Sequence, residues 1–402
     1  MGKFKFKAMS KAGERSEGVY EATSKDEVLA MITSNDCYPL LVEELNEGTK
    51  IEFGKNSRIK TKDLSIFCRQ FSTMIEAGVS ISYAVNILAT QLPNKRLRDI
   101  LSKIDESIKK GESLSSSMKE HQNVFPPLLI SMIEVGEVSG TLDTILKRMA
   151  VYYENENKLN GKVRNAMIYP AILAILTIGV VILILTILMP MFVSMFTESG
   201  VPLPWTTRFT LALSYGIRDY WFIIFPVIIA IVVSIRYYCT KNEDGIMKYS
   251  SFKLKYSIFK RINQQLVVSK FTRSLATVLS AGVSLMQSLD VVAGVVNNKL
   301  AEAEIRKIKE RILKGEGLSE PIKEAGVFPP MLGSMVKIGE ESGALDDILA
   351  KTADFYDDEL DRAVQAFTAM LEPIMIIIMG VVIGFVIISM MTPMFTMFQT
   401  IK

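Results

Sequence analysis

The chain has one histidine, His121, and three cysteines, Cys37, Cys68 and Cys239, in 402 residues. A single histidine excludes an HExxH zinc site and any histidine-based metal cluster. The cysteines show no CxxC or ligand-like spacing, so they read as reduced structural thiols. Gly161-Lys162 is followed by Val163, which leaves no P-loop, and neither a nucleophile elbow nor a Rossmann glycine pattern occurs. The acidic run Asp357-Asp-Glu-Leu-Asp361 lacks the glycine and ligand spacing of a calcium loop and reads as a solvated helix face. No catalytic residue, metal site or cofactor is expected.

Two motifs invite a closer reading. Gly136-Glu137-Val-Ser139-Gly140 returns as Gly339-Glu340-Glu-Ser342-Gly343. Its simplest account is a tight turn between helices, with glycines supplying positive φ and the serine capping the next helix. Gly380 and Gly384, spaced one helical turn apart in an apolar run, offer a small-residue face for close packing in a membrane.

The elements that carry these motifs occur twice. Ala77-Gly-Val-Ser80 returns as Ala281-Gly-Val-Ser284 and Lys110-Gly-Glu112 as Lys314-Gly-Glu316, each 204 residues later. Val124-Phe-Pro-Pro127 returns as Val327-Phe-Pro-Pro330, and Tyr153 as Tyr356, now at 203. Such a match with one slip identifies an internal duplication. Each copy ends in the same way. Ala166-Met-Ile-Tyr169-Pro170 leads into a run without charge from Asn165 to Thr197, and Ala369-Met-Leu-Glu372-Pro373 leads into a second long apolar run. At about 1.5 Å per residue either helix would cross a hydrocarbon core of about 30 Å. A third apolar segment, 220–235, lies between Asp219 and Arg236, with Tyr237 and Tyr238 placed as interfacial residues.

The fold class expected is mainly α in a membrane protein: a small N-terminal α+β domain, two homologous cytoplasmic six-helix bundles and three transmembrane helices. The α+β domain occupies 1–46, where Phe4, Phe6 and Ala8 alternate with lysines as in a half-buried strand and Ser24 with Glu27 forms a capping box. A basic linker follows at 47–62, then the first bundle at 63–166 and a first span at 167–192. An extracytoplasmic loop at 193–219 leads to a second span at 220–240. A basic connector at 241–264 precedes the second bundle at 265–370, the third span at 371–392 and an extracytoplasmic tail at 393–402. MGKFKFKAMS has no apolar core of a cleaved signal peptide.

Charge orients the spans. Between 198 and 219 the basic residues are Arg208 and Arg218, whereas Arg236, Lys241, Lys248, Lys253, Lys255, Lys260 and Arg261 follow the second span. The positive-inside rule then puts both bundles and the N-terminus in the cytoplasm and the C-terminus outside. The spans contain no internal charge, which disfavours a channel, a transporter or an intramembrane enzyme. The net charge of +3 says nothing about nucleic acid, but no aromatic platform accompanies the N-terminal lysines, so no nucleic-acid partner is expected.

With the duplicated bundle, Gly-Glu-x-Ser-Gly-x-Leu twice, Tyr169-Pro170 before the first span and Glu372-Pro373 before the last, the chain resembles the polytopic inner-membrane platform proteins of type IV pilus and type II secretion machines. That resemblance implies a non-enzymatic assembly core in the bacterial inner membrane. Its implied partners are a hexameric secretion or pilus ATPase, pilin subunits, other inner-membrane assembly proteins, further copies of itself and the lipid bilayer. A membrane receptor or scaffold gathering cytoplasmic signalling partners is the alternative from another class.

Three further expectations follow. Pro170 and Pro373 cannot donate to the carbonyls of Ala166 and Ala369, so each stalk should hinge where it meets its span. The stalk at 147–164 has a net charge of +3 and its equivalent at 350–367 has −3, so the two should pack together. Glu372, whose counterpart is the interfacial Tyr169, is placed to hold the cationic amine of a pilin, the partner the resemblance implies.

Overall fold

The computed structural model describes residues 2–10, 15–22, 25–34, 37–45, 59–191, 204–256 and 259–400. The chain divides into two compact units, 1–58 and 59–402. In the first, strands β1 (Gly2–Ser10) and β2 (Arg15–Ala22) are followed by helix α1 (Lys25–Ser34) and strand β3 (Cys37–Leu45). The sheet is antiparallel with order β2-β1-β3. Pro39 faces Ala8 on the edge strand β3, where a residue without an N–H is tolerated. Ala8, Ala22, Val28 and Ile32 form its core. The expected turn at 11–14, Ser24 of the capping box, residue 46 of the domain and 47–58 of the linker lie outside the described residues.

The second unit is helical. Its first copy contains α2 (Thr61–Glu76), α3 (Ile81–Gln91), α4 (Lys95–Lys109), α5 (Leu114–Lys119), α6 (Pro127–Ser139) and α7 (Leu142–Ala166). Then come α8 (Ile168–Leu183), a π-helical turn (Ile184–Leu188), α9 (Trp205–Lys241) and α10 (Glu243–Lys255). The second copy follows as α11 (Lys260–Leu279), α12 (Leu285–Ala293), α13 (Lys299–Leu313), α14 (Ser319–Glu324), α15 (Pro330–Ser342) and α16 (Leu345–Thr400). Local signals repeat with the sequence. Asn94 and Asn298 each accept a hydrogen bond from the third residue of the following helix, Leu97 at 3.2 Å and Ala301 at 3.1 Å. Pro127 and Pro330 open α6 and α15 at the first helical position, where the missing N–H costs nothing.

Phe67, Phe71 and Phe125 are fully buried in the first core, with ring centroids 5.6 and 5.9 Å apart. Burying each contributes about 1.5–3 kcal/mol. In the second copy Phe271 and Phe328 occupy the places of Phe67 and Phe125, at 4.8 Å. The two cores are joined: Val278 belongs to the first cluster, and Ala281, Val283 and Val291 pack against it. Tyr152 and Ser274 share a buried hydroxyl pair at 3.0 Å across the same seam.

Two helices of the described residues are long and apolar enough to cross a membrane, within 142–191 and 345–392. Fifty residues of helix extend about 75 Å, so each is well over the length that a hydrocarbon core of about 30 Å requires. Their apolar parts expose Ile172, Ile175, Leu176, Ile376, Ile377 and Val381, while Thr177, Leu185 and Val386 are buried on other faces. So much exposed aliphatic surface is that of a helix solvated by lipid.

Several expected boundaries change. The stretch 193–219 was expected as a loop, yet α9 begins at Trp205 and is continuous for 37 residues. Its first half buries Thr207, Thr210, Leu211 and Ser214 on one face. Thr207 donates to the carbonyl of Ser389 at 2.6 Å and Ser214 to that of Leu185, within the π-turn, at 2.5 Å. These hydroxyl bonds dock α9 on both long helices, which a loop could not do. The tail expected at 393–402 is helical through Thr400. The connector expected at 241–264 is mostly α10 and the start of α11, and Leu254 enters the second core.

Candidate functional site at the paired stalks

The stalk charges expected to attract do meet, within the chain. Leu159 packs with Leu360 and Val364, and beside them Lys162 pairs with Asp361. Glu156 accepts from Lys270 at 2.9 Å, a second bridge between copies. Arg148 also reaches across, donating to the Ser280 hydroxyl, whereas several other charges serve their own copies. Lys158 pairs with Glu154, which also binds Arg69 at 2.9 Å. One repeat later Arg273 binds Asp357, and Asp354 at 2.8 Å. The expectation that whole stalks pair by charge is therefore narrowed to Lys162 and Asp361.

Two turns further on, Tyr169 and Glu372 come together. These matching residues, each preceding the proline of its stalk, have Oη and Oε1 3.5 Å apart, and both side chains are exposed. A separation of that length is a loose contact, and the carboxylate keeps its remaining acceptor positions open.

The matched hinges are not seen. In the first copy helical hydrogen bonding breaks at Met167, whose N–H turns to the carbonyl of Arg164. In the second copy α16 continues through Pro373 without interruption. The difference lies in the flanking turns: Arg164 and Asn165 are exposed, whereas Phe367 of the second stalk stacks on Phe259 at 4.6 Å. The packed second approach keeps its helical assignment past the missing donor, where the exposed first one is interrupted. The close-packing face expected at Gly380 and Gly384 is also unused within this chain: a Cβ added at either would meet nothing within 4 Å.

The repeated Gly-Glu-x-Ser-Gly turn is built differently from its expected form. Gly140 and Gly343 do end their helices with positive φ, 72° and 67°. Gly136 and Gly339 are helical, and they let the next helix approach: an added Cβ would stand 3.1 Å from the Leu142 Cα and 3.0 Å from that of Leu345. Ser139 caps nothing downstream; it donates to the Val135 carbonyl at 2.7 Å, while Ser342 donates to Gly339 at 3.4 Å. The glutamates act as the caps. Glu137 accepts from the N–H groups of Leu114 and Ser115 at 2.7 and 3.0 Å, holding the start of α5. Glu340 does the same for Leu318 and Ser319 at α14. A carboxylate on two unpaired donors at a helix start is a strong, charge-assisted contact.

A further buried cluster was not anticipated. Asp105 on α4 accepts from Ser82 at 3.0 Å, Asn86 at 2.9 Å and Lys109 at 2.6 Å. Burial pushes its carboxyl up, but the bonds from Lys109, Asn86 and Ser82 outweigh it and hold the group below the usual range. Nothing in this arrangement, nor at the stalks, aligns a nucleophile with a base.

The family described as type II secretion system (T2SS), protein F matches residues 67–190 and again 271–393. The two matches cover both bundles and both long apolar helices, so they fall on the duplication itself. The chain is 34% identical over 403 residues to the type IV pilus assembly protein PilC of Myxococcus xanthus, covering 99% of this chain and 96% of that protein. It is equally 34% identical over 403 residues to PilC of Thermus thermophilus, covering 99% of each. The type II secretion system protein F of Pseudomonas aeruginosa is 27% identical over 407 residues, the whole of both chains. Two copies of one family domain and full-length similarity to pilus and secretion proteins agree: the chain belongs to the type II secretion system protein F family.

Proposed function

We propose that this chain is the non-enzymatic inner-membrane platform of a type IV pilus or type II secretion-like machine, coupling a cytoplasmic hexameric ATPase to insertion or extraction of pilin subunits. The observation that carries this reading is the pair of stalks. Each bundle leads by a helix into an apolar run, with a break at Met167 in the first copy and none in the second, and the approach sequences of the two runs touch at Tyr169 and Glu372. A displacement applied to the joined bundles reaches the membrane through these two helical approaches. The sequence has no nucleotide-binding motif, so the work has to come from a partner motor.

In this reading α9 is the third span, with the bundles inside and the C-terminus outside. Glu372 holds the amine of an incoming pilin at the cytosolic edge of the bilayer and releases it as the stalks move. Gly380 and Gly384, unpacked within the chain, are available to a second copy or to another assembly protein. Purification of the tagged chain from its native membrane tests the assignment. Recovery of the ATPase and of pilin is expected; recovery of signalling proteins with neither would overturn it. A cysteine at Ser199 should react with an impermeant thiol reagent on spheroplasts and one at Ser342 should not, and the opposite pattern would invert the topology.

A further inference from the structure

α10 carries a surface that the platform role does not use. It leaves α9 after one residue, Asn242, whose side chain accepts from the Asp244 N–H at 3.2 Å. Gly245 permits the tight return: a Cβ there would lie 2.3 Å from the Tyr238 carbonyl oxygen. One face of α10 is clamped to the second bundle. Asn298 donates to the Ser250 carbonyl at 3.2 Å, the Lys299 N–H donates to the Ser250 hydroxyl at 3.3 Å, and Leu254 is in the core.

The opposite face is aromatic and basic. Tyr249, Phe252 and Tyr256, at spacings of three and four, form one stripe and are 44%, 55% and 77% exposed. By helical geometry Lys248 and Lys255 border the stripe on one side and Lys253 on the other, its Nζ 4.4 Å from the Tyr249 ring centroid. The pattern is continuous with the end of α9, where Tyr237 and Tyr238 are exposed and Lys241 stands over the Tyr237 ring at 5.8 Å. Three rings in one stripe are poorly placed in bulk water. Rings flanked by ammonium groups match the headgroup layer, where the ring sinks to the acyl boundary and the lysine reaches phosphate.

We propose that α10 is an interfacial helix that seats the second bundle on the anionic phospholipids of the leaflet where α9 emerges. This rests on the reading of α9 as a membrane span with its Lys241 end inside. Continuity with Tyr237 and Tyr238 selects lipid over an acidic protein partner, because the surface begins where the span ends. One repeat earlier the stripe positions are Leu45, Gly48 and Glu52, without a ring, so the seat belongs to the second copy alone. Each lysine at an anionic surface shifts the seated-to-free ratio about fivefold, an effect that salt reduces.

The test uses the full chain in nanodiscs of phosphatidylcholine with and without phosphatidylglycerol. Cys37 and Cys239 are replaced by serine, while Cys68, which is fully buried, stays. Nitroxide labels are placed singly at Phe252→Cys, at Ile229→Cys within α9 and at Val138→Cys, a position 87% exposed on the first bundle. Phosphatidylglycerol should raise oxygen contact and lower contact with a water-soluble nickel complex at position 252, leaving position 138 aqueous. Lys248→Glu with Lys255→Glu should abolish that change. Lipid at 229 with water at 252 in both discs would overturn the seat and keep the span. Water at 229 would overturn both. Equal burial of 252 in both lipids would refute the anionic preference, and protection of 252 only on adding cytosolic protein would assign the stripe to a protein.

Discussion

Tyr169 and Glu372, 203 residues apart and equivalent in the duplication, approach each other to 3.5 Å at the seam of the two stalks. Each repeat thus contributes to one place the residue that precedes its proline, and only one of the two, Glu372, is a carboxylic acid. An exposed contact of this length adds about 0–1 kcal/mol, so its removal should not unfold the protein. Glu372→Gln should leave membrane level, melting temperature and ATPase recovery unchanged while filament or secretion output falls. Tyr169→Phe should keep most of that output. Wild-type assembly by the glutamine variant would remove Glu372 from the mechanism.

The seam makes a graded prediction about charge. Lys162 and Asp361 pair at a partly exposed site, so reversing either should cost about 0–1 kcal/mol and reversing both should recover it. Asp357 differs because it accepts from Arg273 and Ser269, and it and Arg273 are more than four-fifths buried. Asp357→Lys would leave Arg273 facing a like charge, at a cost of about 3 kcal/mol. Thermal unfolding of the purified chain in detergent separates the cases. Equal effects at 357 and 361 would mean that Asp357 is not held as described.

How much of this was legible in the sequence depends on whether the signal was periodic or came from a partner. The repeat, the helical stripes, the two long apolar helices and the αL glycines at Gly140 and Gly343 are local and were readable. The start of α9 was not. Thr207, Thr210 and Ser214 form a helical face of hydroxyls, and the acceptors of Thr207 and Ser214, the carbonyls of Ser389 and Leu185, lie far away in sequence. A scan for polar as well as apolar periodicity would have found that face. The role of Glu137 was hidden for the same reason, since its donors are at Leu114 and Ser115. Its recurrence as Glu340, at nearly the same distance behind Leu318, was the available clue. The difference between the two proline approaches was not readable either, because the ring that packs on Phe367, Phe259, lies far away in sequence.

The two capping glutamates should respond alike. Glu137→Ala strands the N–H groups of Leu114 and Ser115, and Glu340→Ala those of Leu318 and Ser319, each costing about 1–2 kcal/mol. Glutamine retains one acceptor and should cost less than alanine in both copies. Hydrogen exchange should quicken first at α5 or α14, on the side of the mutation. Uniform loosening of the whole bundle would argue against a local cap.

Asp105 links the first bundle to pH. Its folded pKa lies below the ordinary carboxylate value, so its contribution is fully present above the unfolded pKa of about 3.9 and is lost as pH falls through the folded one. The second copy solves the same site with reversed polarity: Lys309 stands where Asp105 does, and it pairs with Asp290, which replaces Asn86, at 2.5 Å. Asp105→Asn keeps the volume but gives up the charge-assisted bond from Lys109 and sets two amides against each other. At neutral pH it should cost about 1–3 kcal/mol. The gap between wild type and variant should then narrow as the solution is acidified below pH about 4, because the wild type loses the advantage that the variant never had. Denaturant titrations of both proteins from neutral pH downward give that gap directly. A gap that stays constant across the acid range would show that Asp105 does not carry its charge in the folded bundle.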